Sequence, residues 1–254
     1  MGDKILQKVV LVSLLVLPFL LYFFWVYAQE ESFFTTLDYV GPKSLVEVEI
    51  NGEIRQDSVY YSMPEFEFNS QADTLISNDE LRNNILLVNF FFSSCPSVCP
   101  AMNYKVQQVQ NRFKGYEHFK IISFSVDPEF DTPEVLSKYA KRYEAIDGKW
   151  HFLTGDAEKI YQVAQGLFVN AGEDSLAEGG FLHSQNLMLV DWDGHIRSGK
   201  DDLGNIKGAY DGLQDVEVND LKDDIKVLIA EFEKKKSVDE YKKVKALKEK
   251  SGEK

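Results

Sequence analysis

Residues 86–92 constrain the fold most, because six of these seven residues are apolar. A run of this kind predicts a buried β-strand. The chain has only two cysteines, Cys95 and Cys99, and both follow this run in the segment SSCPSVCP. The sequence therefore predicts a buried strand that delivers two thiols to a turn between a strand and a helix.

The spacing of the two cysteines indicates shared chemistry. A helix that opens near Pro96 would stack both sulfur atoms on one face of its first turn. Such a pair can close a disulfide or share a soft metal ion, and the helix N-terminus favours the thiolates that both chemistries need. A purely structural disulfide is the weaker interpretation, because a bridge between near neighbours constrains the unfolded chain little.

Residues 9–28 carry no charge over twenty positions. At about 1.5 Å per residue, a helix of that length spans a hydrocarbon core of about 30 Å. Lys4 and Lys8 precede the run, whereas Glu30 and Glu31 follow it, so the positive-inside rule keeps the N-terminus in the cytoplasm. We expect a single-pass protein of the bacterial inner membrane with its soluble domain on the periplasmic side. A cleaved signal peptide ending at Ala28 is the alternative, although the run is long for one.

Charge is unevenly distributed along the chain. Residues 234–254 hold nine lysines against four acidic residues, a local net charge of +5 in a chain whose total is −13. The body of the protein is therefore strongly acidic, which argues against nucleic acid as a partner.

The remaining pattern alternates between strands and helices. Alternating residues around Asn51-Gly52 predict a β-hairpin over residues 45–54, and a capping box at residues 77–80 predicts a helical turn. The later predicted elements are a helix from near residue 96 to 113, a strand at 119–126, a helix at 134–143, a strand at 151–154, a helix at 156–166, a hairpin of residues 186–192 and 195–197, and a closing helix around residues 221–232.

Parallel strands joined by helices, and finished by an antiparallel hairpin and a helix, indicate an α/β fold of the thioredoxin-like kind. An N-terminal β-hairpin is added to this fold, and one transmembrane helix precedes it. The expected organisation is a cytoplasmic N-terminus at 1–8, a membrane anchor at 9–28, a stalk with the hairpin at 29–63, the thioredoxin-like domain at 64–232 and a Lys-rich tail at 233–254.

Chemistry in open α/β sheets lies at the carboxyl ends of the strands. Cys95, Asp127 and the loop before Asn186 are expected to meet at that edge. Four histidines compete as a third metal ligand, and His183 differs from the others because it ends a glycine-rich loop just before a strand. The positions of His118, His151 and His195 are more typical of surface or packing residues.

Several segments, in order, resemble the Sco/SenC family of copper-binding assembly proteins. They are FFFSSCPSVCP at 90–100, SVDPEFDTPE at 125–134, WHFLTG at 150–155, His183-Ser184 and residues 189–194. The similarity spans roughly residues 64–232. The combination of CxxxCP with SVDPxxDTPE is specific, whereas CxxxC alone would be weak.

The resemblance implies a thioredoxin fold that binds copper, as Cu(I) and/or Cu(II), through Cys95, Cys99 and His183. Asp127 matches the family's acidic residue near the site, although a turn-forming Asp-Pro is the alternative. The implied partners are the copper-accepting subunit of cytochrome c oxidase or another copper acceptor, and a thiol-disulfide reductant. Two thiolates suit Cu(I), and an added imidazole also suits Cu(II). Disulfide formation would abolish such binding.

Three other functions compete with a copper chaperone. A membrane-tethered thiol:disulfide oxidoreductase would use Cys95 and Cys99 as a catalytic redox pair to reduce cysteines of the oxidase copper site. Thioredoxin-type enzymes have a CxxC motif with a cis-proline opposite it. This chain has CxxxC and no proline after Pro133, which disfavours a general oxidoreductase. A peroxiredoxin is disfavoured because the run before Cys95 lacks the expected Pro and Thr. A scaffold or copper sensor would bind the metal without transferring it.

Overall fold

The computed structural model describes residues 36–50, 53–174, 176, 180–182 and 184–251, together with residues 7, 11, 14 and 16–23. Residues 16–23 are helical. Among the described residues, no helix has both the length and the apolar character needed to cross a bilayer. Much of the predicted anchor at 9–28 lies outside the described residues, as does the predicted turn Asn51-Gly52. The chain divides into two compact units, Met1–Thr35 and Thr36–Lys254.

The second unit contains thirteen strands and five helices within its described residues. The strands are β1 (Asp38–Tyr39), β2 (Lys43–Ile50), β3 (Glu53–Tyr60), β4 (Glu67–Ser70), β5 (Leu75–Ser77), β6 (Ile85–Phe91), β7 (Phe119–Ser125), β8 (Trp150–Thr154), β9 (Gly172–Glu173), β10 (Phe181–Leu182), β11 (Asn186–Val190), β12 (Ile196–Ser198) and β13 (Tyr210–Asp211). The helices are α1 (Asn78–Leu81), α2 (Val98–Phe113), α3 (Pro133–Arg142), α4 (Ala157–Gly166) and α5 (Asp215–Ser251).

A mixed sheet runs through the core in the order β1-β12-β11-β6-β7-β8-β4-β5, with β13 paired to β11. Strands β6, β7 and β8 are parallel, and α2 and α3 connect them. All seven residues of β6 are buried. The expected α/β arrangement of parallel strands, crossover helices and a closing antiparallel hairpin is therefore confirmed.

Local capping signals fix where the short helices begin. At α1, the N–H of Ser77 donates to Oε2 of Glu80 at 3.3 Å, as the capping box requires. At α3, the hydroxyl of Thr132 accepts from the N–H of Val135 at 3.4 Å. At α4, a carboxylate oxygen of Asp156 accepts from the next turn of the helix. These starts lie within one residue of those predicted.

Two elements are longer than the sequence pattern indicated. The hairpin of β2 and β3 pairs from Lys43 opposite Tyr60 to Ile50 opposite Glu53, and it forms a separate two-stranded sheet. Helix α5 continues from the predicted closing helix into the Lys-rich tail. Neither proline nor glycine occurs between residues 215 and 251, so no residue there stops the helix.

A buried ion-pair network ties the N-terminal strand to the closing helix. The Arg197 side chain is 2% exposed, and its guanidinium donates to Asp191 at 2.9 Å, to Glu231 at 2.9 Å and to the carbonyl of Leu37 at 2.8 Å. The ring of Tyr39 lies 4.2 Å from the guanidinium. One side chain of β12 thus joins β1, the end of β11 and α5.

The Arg197→Ala variant should lose about 3–5 kcal/mol of unfolding free energy, because it leaves Asp191 and Glu231 without their cation in a buried setting. Lys226→Ala is the matched control, since Lys226 forms an exposed ion pair with Asp223 and should cost no more than about 1 kcal/mol. Urea unfolding of both variants measures the difference. Equal losses would contradict the importance of the network.

Candidate metal centre

The two cysteines lie in and just after the loop that joins β6 to α2. Cys95 is 6% exposed and Cys99 is fully buried. Both are thiols, and no disulfide joins them. The N–H of Cys99 donates to Sγ of Cys95 at 3.4 Å, and the N–H of Cys95 donates to the carbonyl of Phe92 at 3.2 Å. The two residues are therefore held side by side at the carboxyl end of β6.

The expectation that the helix opens near Pro96 is wrong by two residues. Helix α2 begins at Val98 with Ser97 as its N-cap, so Cys95 lies in the loop and only Cys99 lies in the first turn. The position of Pro100 explains the shift. In a helix that began at Pro96, Pro100 would be the fifth residue, where the backbone N–H is needed for a hydrogen bond. In the observed helix it is the third residue, where that N–H has no helical partner.

Burial is the main influence on the Cys99 thiol. It raises the pKa of Cys99 far above its ordinary value, and the charge of Asp131 raises it further. A thiolate at this depth is costly unless a cation or a hydrogen bond balances its charge. Cys99 therefore suits a site in which a bound metal ion, and not solvent, stabilises the ionised sulfur.

Asp131 holds the cysteine loop in place, a role that our sequence reasoning missed. Its buried carboxylate accepts the N–H of Ser93 at 3.0 Å, the hydroxyl of Ser93, and the hydroxyl of Ser125 at 2.5 Å. Burial raises the pKa of Asp131, whereas these three hydrogen bonds lower it. Asp131 thus links the loop that carries Cys95 to the end of β7. The available signal was its place in SVDPEFDTPE, four residues after Asp127.

Asp127 lies at the same edge of the sheet, two residues after β7. Its backbone carbonyl accepts the N–H of Asp131 at 2.9 Å, so its main chain helps to position that residue. Its half-buried carboxylate accepts the N–H of Phe130 at 3.4 Å. Burial, and then the charges of Asp131, Glu129 and Glu173, raise the pKa of Asp127. The contact between an acidic side chain and the cysteine loop is made by Asp131, and a role for Asp127 beside the metal stays a prediction.

His183 lies outside the described residues. Residues on either side of it in the sequence are described. The ring of Phe181, in β10, packs against the ring of Phe92 with centroids 5.4 Å apart. Strand β11 runs antiparallel to β6 with Met188 opposite Val88. Phe181, two residues before His183, therefore lies beside the start of the cysteine loop.

The other three histidines have contacts away from the cysteine loop. The ring of His118 packs on Phe232 at 5.1 Å, next to the closing helix. His195 contacts the carbonyl of Tyr61 at 3.0 Å through Nδ1. His151 lies in β8, where burial lowers its pKa. These positions agree with the packing roles that the sequence suggested.

A buried polar network lies beneath Cys99. Asn103, one turn further along α2, donates to the hydroxyl of Tyr139 at 2.9 Å and accepts from Asn89 of β6 at 3.2 Å. The amide oxygen of Asn89 accepts from Ser123 at 2.6 Å, and the indole N–H of Trp150 donates to Ser123 at 2.8 Å. Strand β6 and helix α3 are thus hydrogen-bonded directly to the helix that carries Cys99, and β7 and β8 are linked to it through Asn89.

Within the described part of the chain, no group of three or more His, Cys, Asp or Glu side chains is placed to hold a metal ion. The described donors are the two cysteine sulfurs. A pair of thiolates is a soft donor set that suits Cu(I), and further nitrogen ligands broaden it to Cu(II). The residues present therefore fit a copper site in which the two cysteine sulfurs are the described donors.

Comparison with known proteins gives consistent matches. A family model described as SCO1/SenC matches residues 55–216. The SCO1 protein homolog of Bacillus subtilis is 30% identical over 177 residues, which cover 69% of this chain and 86% of that protein.

Solved structures match over the same region. BsSco, described as a member of the Sco family of cytochrome c oxidase assembly proteins, is 29% identical with a TM-score of 0.56, over 66% of this chain and 93% of that chain. The copper-bound ScoI of Bradyrhizobium japonicum is 24% identical with a TM-score of 0.51, over 64% of this chain and 98% of that chain. The second match supports the fold alone.

Ser125→Ala should lower the free energy of unfolding by about 1–3 kcal/mol at pH 7, because it removes a donor from a buried carboxylate. This donor lowers the pKa of Asp131, so its removal raises that pKa further. The loss of stability is therefore present above the folded-state pKa of Asp131 and shrinks as the pH falls through it.

Ser198→Ala is the control for this prediction. The buried hydroxyl of Ser198 bonds only to backbone groups in the described hydrogen bonds, donating to Gly199 and accepting from Gly208. Its loss should cost the same at pH 7 and at pH 4. Urea unfolding at the two pH values compares the variants, and a pH-independent loss for Ser125→Ala would contradict the assignment.

Proposed function

The chain belongs to the SCO1/SenC family, and on that premise we propose that it is a copper chaperone that delivers copper to the copper centre of a respiratory cytochrome c oxidase. The observation that carries the proposal is the pair of adjacent cysteines at the carboxyl end of β6, with the N–H of Cys99 directed at Sγ of Cys95 at 3.4 Å. A relative supports it, since BsSco is described as a member of the Sco family of cytochrome c oxidase assembly proteins.

In this proposal Cys95, Cys99 and His183 bind the copper cargo. The two sulfurs supply negative charge and soft donor character, and the imidazole supplies a nitrogen donor. The hydrogen bonds from Ser93 to Asp131 keep the cysteine loop in one conformation, so the two sulfurs need little rearrangement to bind copper. Copper then passes to an acceptor by exchange of these ligands for those of the acceptor.

Binding and redox state are coupled in this scheme. Oxidation of the two thiols forms one S–S bond and releases two protons and two electrons to an oxidant, which removes both sulfur ligands. A thiol-disulfide reductant is therefore a necessary partner in an oxidising compartment. We also propose that residues 9–28 anchor the chain in the bacterial inner membrane and place the soluble domain on the periplasmic side.

A membrane-tethered thiol:disulfide oxidoreductase is the second candidate. The proximity of Cys95 and Cys99 favours it, because the same two thiols that bind copper can form and release a disulfide. The solved structure of BsSco is described as revealing a disulfide switch in that protein. In this role the pair would give two electrons to a disulfide of the oxidase copper site and become oxidised itself.

The reduced full-length chain should bind one copper ion per molecule. The double variant Cys95→Ser, Cys99→Ser should lose that copper, because both sulfur donors are gone. Loss of a residue that only hydrogen-bonds to a metal ligand typically weakens metal affinity by roughly 10- to 100-fold. His183→Ala removes a proposed ligand itself, so it should weaken copper binding by more than that. His118→Ala is the control, since its ring packs on Phe232. Competition with a chelator of known affinity gives the constants, and unchanged affinity in the double variant would exclude the site.

Incubation with an apo acceptor domain of the oxidase should separate the two functions. The copper-loaded chain should lose its copper to a reduced acceptor, while its own cysteines stay reduced. The oxidoreductase would instead, in its reduced and copper-free form, convert an acceptor disulfide to two thiols while its own two thiols form a disulfide. Metal analysis and thiol counting after separation of the two proteins measure both quantities. Neither transfer nor thiol exchange would favour a scaffold or a sensor.

A further inference from the structure

An exposed phenylalanine lies beside the cysteine loop. Phe130 is 55% exposed, whereas the next residue, Asp131, is fully buried and accepts the N–H of Ser93 at 3.0 Å. Ser93 precedes Cys95 by two residues. The ring of Phe130 therefore meets solvent at the carboxyl edge of the sheet, next to the loop that carries the more exposed of the two cysteines.

The backbone around Phe130 is held on both sides, over the segment that we call the 127–131 turn. The N–H of Phe130 donates to Oδ1 of Asp127 at 3.4 Å, and the N–H of Asp131 donates to the carbonyl of Asp127 at 2.9 Å. The carbonyl of Phe130 accepts the N–H of Thr132, the N-cap of α3, at 2.9 Å. Because this backbone is already ordered, a partner that covers the ring pays little conformational entropy.

Carboxylates surround the exposed ring. The 127–131 turn contains three acidic residues and no cation. Burial and then nearby charges, those of Glu129 and Glu173 included, raise the pKa of Asp127. The side chains of Glu129 and Glu173 are both exposed. These carboxylates lie close enough together to repel one another, and they give the solvent around Phe130 a negative potential.

Strand β9 links Glu173 to the cysteine loop by a second route. Glu173 is the cross-strand partner of Phe181 in β10. The ring of Phe181 packs on the ring of Phe92 with centroids 5.4 Å apart, and the carbonyl of Phe92 accepts the N–H of Cys95 at 3.2 Å. The acidic side chains and the exposed ring therefore share one edge of the sheet with the thiols.

The charge of this edge selects its occupant. A second copy of the chain would bring carboxylates against carboxylates, and an anionic lipid surface would also be repelled. A protein with basic side chains around an apolar recess would complement both the ring and the carboxylates. A copper acceptor has to reach Cys95 for ligand exchange, so it is the protein that would cover the neighbouring 127–131 turn.

We propose that Phe130 is the anchor on which the copper-accepting protein docks. Its ring enters an apolar recess of the acceptor, and Glu129 and Glu173 face basic side chains at the rim of that recess. Docking in this way places the ligands of the acceptor beside Cys95. Because this role rests on the chaperone function proposed above, docking and copper transfer are measured separately.

Surface plasmon resonance on an immobilised apo acceptor domain of the oxidase measures docking by the reduced, copper-free, full-length chain in detergent. Phe130→Ala should weaken binding by at least about 10-fold. Phe168→Ala is the matched control, because Phe168 is 54% exposed and packs on Tyr61 at 5.3 Å. Tyr61 contacts His195, beyond the end of β11 that lies level with the start of β6. Phe168 is therefore far from the cysteine loop, and its loss should leave binding unchanged.

Salt separates the two parts of the contact. Glu129→Lys should weaken docking at low ionic strength, and this loss should shrink at high ionic strength because salt screens exposed charges. The loss caused by Phe130→Ala should persist in salt, since the anchor is apolar. Glu117→Lys is the matched control. Glu117 is an exposed residue before the amino end of β7, so its reversal changes the net charge equally at the opposite end of that strand.

Copper transfer from the loaded chain gives an independent readout. Phe130→Ala should raise the acceptor concentration needed for the half-maximal transfer rate, and it should leave the maximal rate and the copper affinity unchanged. Equal acceptor binding by the Phe130→Ala and wild-type chains, an equal loss in Phe168→Ala, or no binding by the wild-type chain would overturn the proposal. Binding that depends on Phe130 but leads to no copper transfer would retain the docking surface and exclude the chaperone function.

Discussion

The complete burial of β6 is the constraint on which the rest of the structure depends. A strand with no exposed side chain needs a neighbour on each edge and cover on each face, and β7, β11 and the helices provide them. Residues that follow such a strand can reach the protein surface only beyond its carboxyl end. Cys95 lies just beyond that end, so the position of the thiols follows from the packing of the core.

Burial of β6 also explains the polar residues around the site. Asn89 is the one polar side chain in the strand, and an amide at zero exposure must have its hydrogen bonds satisfied. Ser123 and Asn103 satisfy them, and Asn103 belongs to the helix that carries Cys99 in its first turn. Asp131 joins the core to the other side of the cysteine loop, because its carboxylate accepts hydrogen bonds from Ser93 of the loop and Ser125 of β7. The core and the candidate metal centre are therefore one hydrogen-bonded structure.

The sequence predicted the order and type of the main elements well, because each carried a local signal. The buried run before the cysteines, the capping box at Ser77 and the Thr132-Pro133 start of α3 are examples. It predicted the start of α2 less well, because two prolines compete and only the hydrogen bond that Pro100 cannot make decides between them. Asp131 was missed because its partners, Ser93 and Ser125, lie on other elements, and sequence spacing carries no such information. The network of Arg197 was missed for the same reason.

The difference in exposure between the two cysteines gives the site a direction. Cys95 retains a small accessible surface, whereas Cys99 has none. Any molecule that approaches from solvent contacts Cys95 first. It can contact Cys99 only after the cysteine loop or the molecule itself has moved. The packing of the protein core therefore determines the order in which a reacting molecule contacts the two cysteines, with Cys95 before Cys99.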